Sequence, residues 1–206
     1  MSPDSDIKKA QEPSISYNKK LTYTDYLKFD YDYMVELIRG QLFKMTPAPS
    51  SRHQEISAEL TYLFKHFLRE KSCKIFHAPF DVVLPIANEQ KKTASTVVQP
   101  DLCIICDLDK LDEKGCFGPP DLIVEILSPS TQKKDLTHKL NIYEQTGVKE
   151  YWVIYPLERM LHVYLLEASL YKKPIIYNSD DVVRSGLVSK FRNQSSGSTL
   201  GVRDTR

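Results

Sequence analysis

Two carboxylates lie where a folded chain has little reason to keep them. Asp101 stands in the run VVQPDLCIIC and Glu125 in DLIVEIL, and the apolar, β-branched make-up of both runs predicts strands. An acid inside an apolar strand is costly unless it is paired or holds a cation. The spacing of 24 positions between the two acids fits neighbouring strands joined by a long loop. A helical segment follows at once, in which Leu136, Leu140 and Tyr143 mark the apolar stripe. Lys139 lies three residues after Leu136 and four before Tyr143, so it shares that stripe.

Two acids and an inward lysine suit the hydrolysis of a phosphodiester. That reaction needs a cation to offset charge on the transition-state oxygens and to make water nucleophilic near neutral pH. Mg²⁺ takes oxygen ligands and is commonly held by one or two carboxylates plus waters; Mn²⁺ is the expected substitute. The expected metal ligands are Asp101, Glu125 and the backbone carbonyl of Ile126. Lys139, kept protonated by the acids, would orient the attacking water or neutralise the phosphate. The competing role for Lys139 is a pair with Asp135 four residues earlier, worth about 0.2–0.5 kcal/mol on a surface. The stripe position argues against a plain surface pair.

Other candidates are weaker. Glu36, inside MVELI, is equally readable as a site acid or as an outward-facing strand residue. His53 falls in the first turn of a helix, where a lone histidine is more often a surface or capping residue than a ligand. His77, His138 and His162 have no partner at a metal-ligand spacing. The four cysteines, Cys73, Cys103, Cys106 and Cys116, suit a reducing compartment as small core residues. Cys103 and Cys106 form a CxxC, but within a strand they point to opposite faces, and no second CxxC completes a zinc site. There is no GxSxG elbow, P-loop, HExxH or dinucleotide-binding glycine pattern. A two-carboxylate glycosidase fits two acids and a lysine less well than phosphate chemistry does.

The elements that must position these residues can be read in order. Residues 1 to 20 read as a loose polar arm. Thr22 can cap LTYTDYLKF, with Asp25 three residues on as an imperfect capping box. MVELI and QLFKM flank Arg39-Gly40 as a β-hairpin, which Pro47 and Pro49 end. Ser50 or Ser51 can cap an amphipathic helix over residues 52 to 71, carrying Ile56, Leu60, Leu63, Phe64, Phe67 and Leu68 on one face. KIFHAPFDVVL reads as one strand and Val97 to Cys106 as another. DLDKLDEKGCFGPP reads as a linker to the Glu125 strand. Ser130 or Thr131 can cap the Lys139 helix, with Gly147 as its C-cap. VKEYWVIYP, ERMLHVYLLE and KKPIIYN are three more strands, and the residues from Gly186 onward look disordered.

With 206 residues, 41% hydrophobic and 27% charged, the chain is long enough for one real core. A net charge of +1 argues against a protein that coats nucleic acid by charge alone. The lysine pairs Lys71/Lys74, Lys91/Lys92 and Lys133/Lys134 read as solvated surface. No apolar run is long enough to span a bilayer and the N-terminus has no signal-peptide core, so a cytoplasmic protein with no membrane partner is expected.

LTYTDYL, VELIRGQL, SSRHQEI, VQPDLCII, GPPDLIVEILSPST, DLTHKLNIYEQTGVKEYWVIYP and the later VYLL resemble, in this order, the Uma-two family of the restriction-endonuclease-like PD-(D/E)XK superfamily. The resemblance runs from about residue 21 to about residue 188, with 189–206 left as a tail. It implies an α/β restriction-endonuclease-like fold, a central mixed β-sheet flanked by helices, and a Mg²⁺-dependent endonuclease acting on DNA, by analogy as a homodimer. It carries the acidic positions onto Asp101 and Glu125, and an additional N-terminal acid onto Glu36. The superfamily's usual lysine, two residues after the glutamate, falls on Leu127; the resemblance implies that its role passes to Lys139. The polar end KFRNQSSGSTLGVRDTR departs from the family's apolar closing strand and helix. Two alternatives remain: a nucleic-acid-binding or regulatory protein that keeps the fold without cleavage, and a metal-dependent phosphoesterase.

Overall fold

Two prolines divide what the sequence presents as continuous strands, and the divisions build the frame of the molecule. The computed structural model describes residues 20–30, 33–45, 50–129, 134–183 and 186–189. The expected arm before residue 20, the tail after 189, Pro47, Pro49, Ser130, Thr131 and Lys133 lie outside the described residues.

One helical turn, α1 (Tyr23–Tyr26), opens the fold under the expected capping box. Thr22 Oγ1 accepts the Asp25 N–H, and the Asp25 carboxylate accepts from the Thr22 N–H and hydroxyl. Strands β1 (Val35–Ile38) and β2 (Gln41–Lys44) form the hairpin. Its turn residues Arg39 and Gly40 both take positive φ, 51° and 82°, as a tight twisted hairpin requires. Helix α2 (Ser51–Phe67) is capped by the Ser50 hydroxyl, which accepts the His53 N–H at 3.3 Å. It lays Leu60 and Phe64 on Leu102, Ile104, Leu122, Val124 and Trp152, each side chain so buried stabilising by about 1.5–3 kcal/mol.

KIFHAPFDVVL is two strands, β3 (Lys74–His77) and β4 (Asp81–Val83), in different sheets. Val97–Cys106 is likewise split into β5 (Val97–Val98) and β6 (Leu102–Ile105). Pro79 and Pro100 lack the N–H that a ladder needs, and at each the chain leaves one sheet for the other. The two crossings lie side by side, tied by the Ala78 N–H to the Asp101 carbonyl at 3.1 Å. Pairing slips by one residue between Lys74↔Ile105 and Val82↔Val98, a bulge that turns the ribbon from one sheet into the next. Asp101 is therefore at the crossing, just ahead of β6, and not in mid-strand.

The stretch read as a linker holds a second hairpin, β7 (Leu111–Asp112) and β8 (Gly115–Phe117), with β8 parallel to β4. Strand β9 (Leu122–Ile126) carries Glu125. A π-helical turn (Asp135–Lys139) runs into α3 (Leu140–Thr146), which Gly147 ends at φ 91° as expected. Strands β10 (Glu150–Tyr155), β11 (Met160–Glu167), β12 (Leu170–Tyr171) and β13 (Ile175–Asn178) follow, then a short helix α4 (Gly186–Ser189).

Among the described residues the strands make two mixed sheets. One runs β2-β1-β5-β4-β8-β7; the other runs β12-β11-β10-β9-β6-β3, with β13 also on β11. The second is the central sheet, with α2 on one face and the π turn and α3 on the other. Cys103 and Cys106 do occupy opposite faces, but Cys106 is bonded to Cys73 in a disulfide, so the expectation of four free cysteines does not hold. The two pair because they lie directly across β3 and β6, one step beyond Lys74↔Ile105. Cys103 and Cys116 remain free and buried. No helix among the described residues is long and apolar enough to cross a membrane.

Candidate active site

Strand register brings the two acids together. β6 pairs antiparallel with β9 through Leu102↔Val124 and Cys103↔Ile123, and one further step sets Asp101 opposite Glu125. The Ile126 N–H donates to Asp101 Oδ2 at 2.7 Å, fixing that carboxylate at the strand end. Ile126 thus contributes its N–H to the site, while its carbonyl acts on the ring of His53. His53 reaches over from the first turn of α2, with Nε2 at 3.2 Å from the same Asp101 oxygen. The hydrogen bond to Asp101 raises the imidazole pKa, against burial, which lowers it. His53 Nδ1 is buried without a hydrogen-bond partner among the described residues.

Glu36 is a site acid by position: it is wholly buried, on the inward face of β1. Its Oε1 accepts the Gln99 N–H at 2.9 Å, so the β5–β6 crossing holds Glu36 and Asp101 from one short segment. Lys139, 2% exposed, inserts its ammonium among three acids. Nζ lies 2.7 Å from Glu125 Oε1, 2.9 Å from Glu36 Oε1 and 3.5 Å from Asp135 Oδ1. Asp135 therefore does pair with Lys139 at i, i+4, but in the core and not on a surface. The Tyr143 hydroxyl donates to Glu125 Oε1 at 2.8 Å.

The charges set the titration. Burial disfavours a charged Lys139, yet Glu125, Glu36 and Asp135 outweigh it and hold the ammonium well above the usual lysine range. Burial would lift Glu36 too, but Lys139, Lys134 and the Gln99 N–H keep its carboxyl below the usual range. Glu125 goes the other way: burial pushes its carboxyl well up, only partly offset by Lys139 and reinforced by the neighbouring acids.

Both candidate ligands keep one oxygen open. Lys139 and Tyr143 engage Oε1 of Glu125, and Ile126 and His53 engage Oδ2 of Asp101. Glu125 Oε2 and Asp101 Oδ1 have no partner among the described residues. No set of three or more His, Cys, Asp or Glu side chains there is grouped to hold a metal. Two open carboxylate oxygens suit a hard cation that keeps several waters.

The chain matches the Uma2 family model, described as "Putative restriction endonuclease", over residues 22–192. It belongs to that family. A relative from Synechocystis sp., described as an uncharacterized protein, is 29% identical over 174 residues, covering 84% of this chain and 80% of its own. A crystal structure described as a putative nuclease belonging to DUF820 from Anabaena variabilis superposes with a TM-score of 0.66 at 17% identity. That match covers 83% of this chain and 92% of the other, and it supports the α/β restriction-endonuclease-like fold.

Leu127, expected from the resemblance to stand where the superfamily's usual lysine falls, is a buried residue whose N–H bonds the Ile154 carbonyl at 2.9 Å. Lys139 supplies an ammonium beside Glu125 instead. Sequence reasoning placed Lys134 with Lys133 on the solvent side, and for Lys134 this is wrong: its Nζ lies 2.5 Å from Glu36 Oε2. In an α-helix, residues five apart sit about 140° apart round the axis. A π turn, with its i→i+5 hydrogen bonds, advances less per residue about the axis, so Lys134 and Lys139 come nearer the same side. Gln99 and Tyr143 were also missed as site residues. For Tyr143 the signal was present, since it shares the stripe of Lys139 and carries a hydroxyl.

Proposed function

We propose that this chain is a divalent-metal-dependent DNA endonuclease, using Mg²⁺ or Mn²⁺ held by Asp101, Glu125 and the carbonyl of Ile126. The observation that carries this reading is the opposition of Asp101 and Glu125 across β6 and β9, each anchored through one oxygen with the other open. A bound cation would supply charge neutralisation at the phosphate and a more acidic water. The chain's own part is positional: Gln99 and Ile126 hold two acids by backbone N–H groups, and Lys139 holds Glu36 and Glu125 at one ammonium. The family description supports DNA as the substrate in this reading. A homodimer, which would place two sites on two strands, belongs to the same proposal.

The test is cleavage of plasmid, single-stranded DNA and RNA with Mg²⁺, with Mn²⁺ and with EDTA. DNA cutting that needs the metal and is lost in Asp101→Ala supports the proposal. DNA binding without cutting would identify a protein that keeps the fold for recognition alone. Turnover of a generic phosphoester only would point to a phosphoesterase.

A further inference from the structure

Resting on the nuclease reading, we infer that Lys134, and not Lys139, is the cation that meets the substrate phosphate, and that Lys139 is a positioning residue. An ammonium has three N–H groups. Those of Lys139 face three carboxylates, from Glu125, Glu36 and Asp135, and its side chain is 3% exposed. Glu125 Oε1 accepts a hydrogen bond from it, and burial among the three acids leaves the ammonium no path to a phosphate oxygen. Lys134 differs on both counts. Its side chain is 17% exposed and, among the described residues, Glu36 is its single partner. Among the described residues two of its donors are therefore unengaged, beside the same acidic cluster.

The arrangement follows from the π turn. Lys139 reaches the interior from the last residue of Asp135–Lys139, and Lys134, its N-cap residue, sits one wide turn earlier, nearer solvent. Glu36 bridges them, taking Lys139 on Oε1 and Lys134 on Oε2. It thereby aims the outer lysine while sharing the inner one. Substituting Lys134 leaves Glu36 with Lys139 and the Gln99 N–H, so the fold keeps its buried compensation.

The experiment compares the parent with Lys134→Gln, Lys134→Arg and Lys139→Met in plasmid cleavage, and in binding of a fluorescein-labelled duplex across a salt series without Mg²⁺. The expected result for Lys134→Gln is a kcat lower by about 10²–10³-fold and a binding salt slope smaller by about 1. Its melting temperature should stay within a few degrees of the parent, and Lys134→Arg should recover most of the cleavage. Lys139→Met should lose cleavage together with thermal stability while keeping the parent's salt slope. A cutting parent whose Lys134→Gln variant cuts equally well with an unchanged slope overturns the inference and leaves the nuclease reading standing. A parent that neither binds nor cuts DNA overturns both.

Discussion

Replacing Lys139 with methionine tests the frame of the site directly. Methionine matches the length and much of the volume of the lysine stem, so the change removes the ammonium with little loss of packing. What remains is a buried set of acids: Glu36 at 0%, Asp135 at 2% and Glu125 at 3% exposure. Glu36 keeps Lys134, but Glu125 and Asp135 have no other cation partner among the described residues. Removing one partner of a buried pair costs about 3–5 kcal/mol, because the other charge is left uncompensated. For a domain of this size each kcal/mol lowers the melting temperature by about 2–4 °C, which predicts a fall of roughly 6–20 °C. Thermal unfolding followed by circular dichroism in EDTA reads this. Glu125→Gln in the same background should recover part of the loss, since the amide oxygen still accepts from Tyr143 and one buried charge is gone. The four proteins of that cycle give the coupling between the two residues. A Lys139→Met protein melting within about 2 °C of the parent, or one whose effect simply adds to that of Glu125→Gln in either direction, would show that the ammonium is not lodged between the acids.

The two glutamates should also oppose each other in pH dependence. Glu36, held below its ordinary value of 4.5, contributes stability that is complete above that value and is lost as pH falls through the folded-state pKa. Glu125, pushed above 4.5, contributes stability below that value that is lost as pH rises through its folded-state pKa. Melting curves from acid to neutral pH should therefore show Glu36→Gln losing most, relative to the parent, at neutral pH, and Glu125→Gln gaining most there; matching profiles would refute the assignment. Burial lifts the Cys103 thiol well above its usual range and the Cys116 thiol to about 11, so iodoacetamide at mildly alkaline pH should label neither in the native protein. Denaturation without reductant should expose those two alone, and adding reductant should release Cys73 and Cys106 as well, as mass spectrometry would count. Gly115→Ala should destabilise by more than about 1 kcal/mol, because φ is 151° and an added Cβ would lie 2.1 Å from the Asp81 carbonyl oxygen; an unchanged melting temperature would count against the β4–β8 pairing.

The acids were legible because composition betrayed them: Asp101 and Glu125 stand in stretches that are otherwise Val, Leu and Ile. The phase of Lys139 was legible from its spacing to Leu136 and Tyr143. Three things were not. Alternation cannot reveal that a strand changes sheet half-way, so KIFHAPFDVVL and VVQPDLCIIC each read as one element although Pro79 and Pro100 were in view. Glu36 stayed undecided because a four-residue strand paired on both sides can direct either face inward, and only tertiary packing settles it. The π turn was invisible to a 3.6-residue reading, which kept Lys139 inside but sent Lys134 the wrong way.

The first two omissions share one cause. The residues that do converge come from β1, from the β5–β6 crossing, from β9 and from the π turn, and what brings them together is the change of sheet at Pro100. Gln99, on the near side of that proline, gives its N–H to Glu36; Asp101, on the far side, receives the N–H of Ile126. A continuous strand would alternate its side chains through a single sheet and leave Glu36 and Asp101 in separate surroundings. The break lets one three-residue segment bind Glu36 of one sheet and Ile126 of the other. Lys139 then closes the set, joining Glu36 of the first sheet to Glu125 of the second. The site is thus the seam of the fold as well as its candidate chemistry. A substitution at Lys139 should loosen the packing of the two sheets before it reports on any reaction, which is why stability has to be measured beside cleavage.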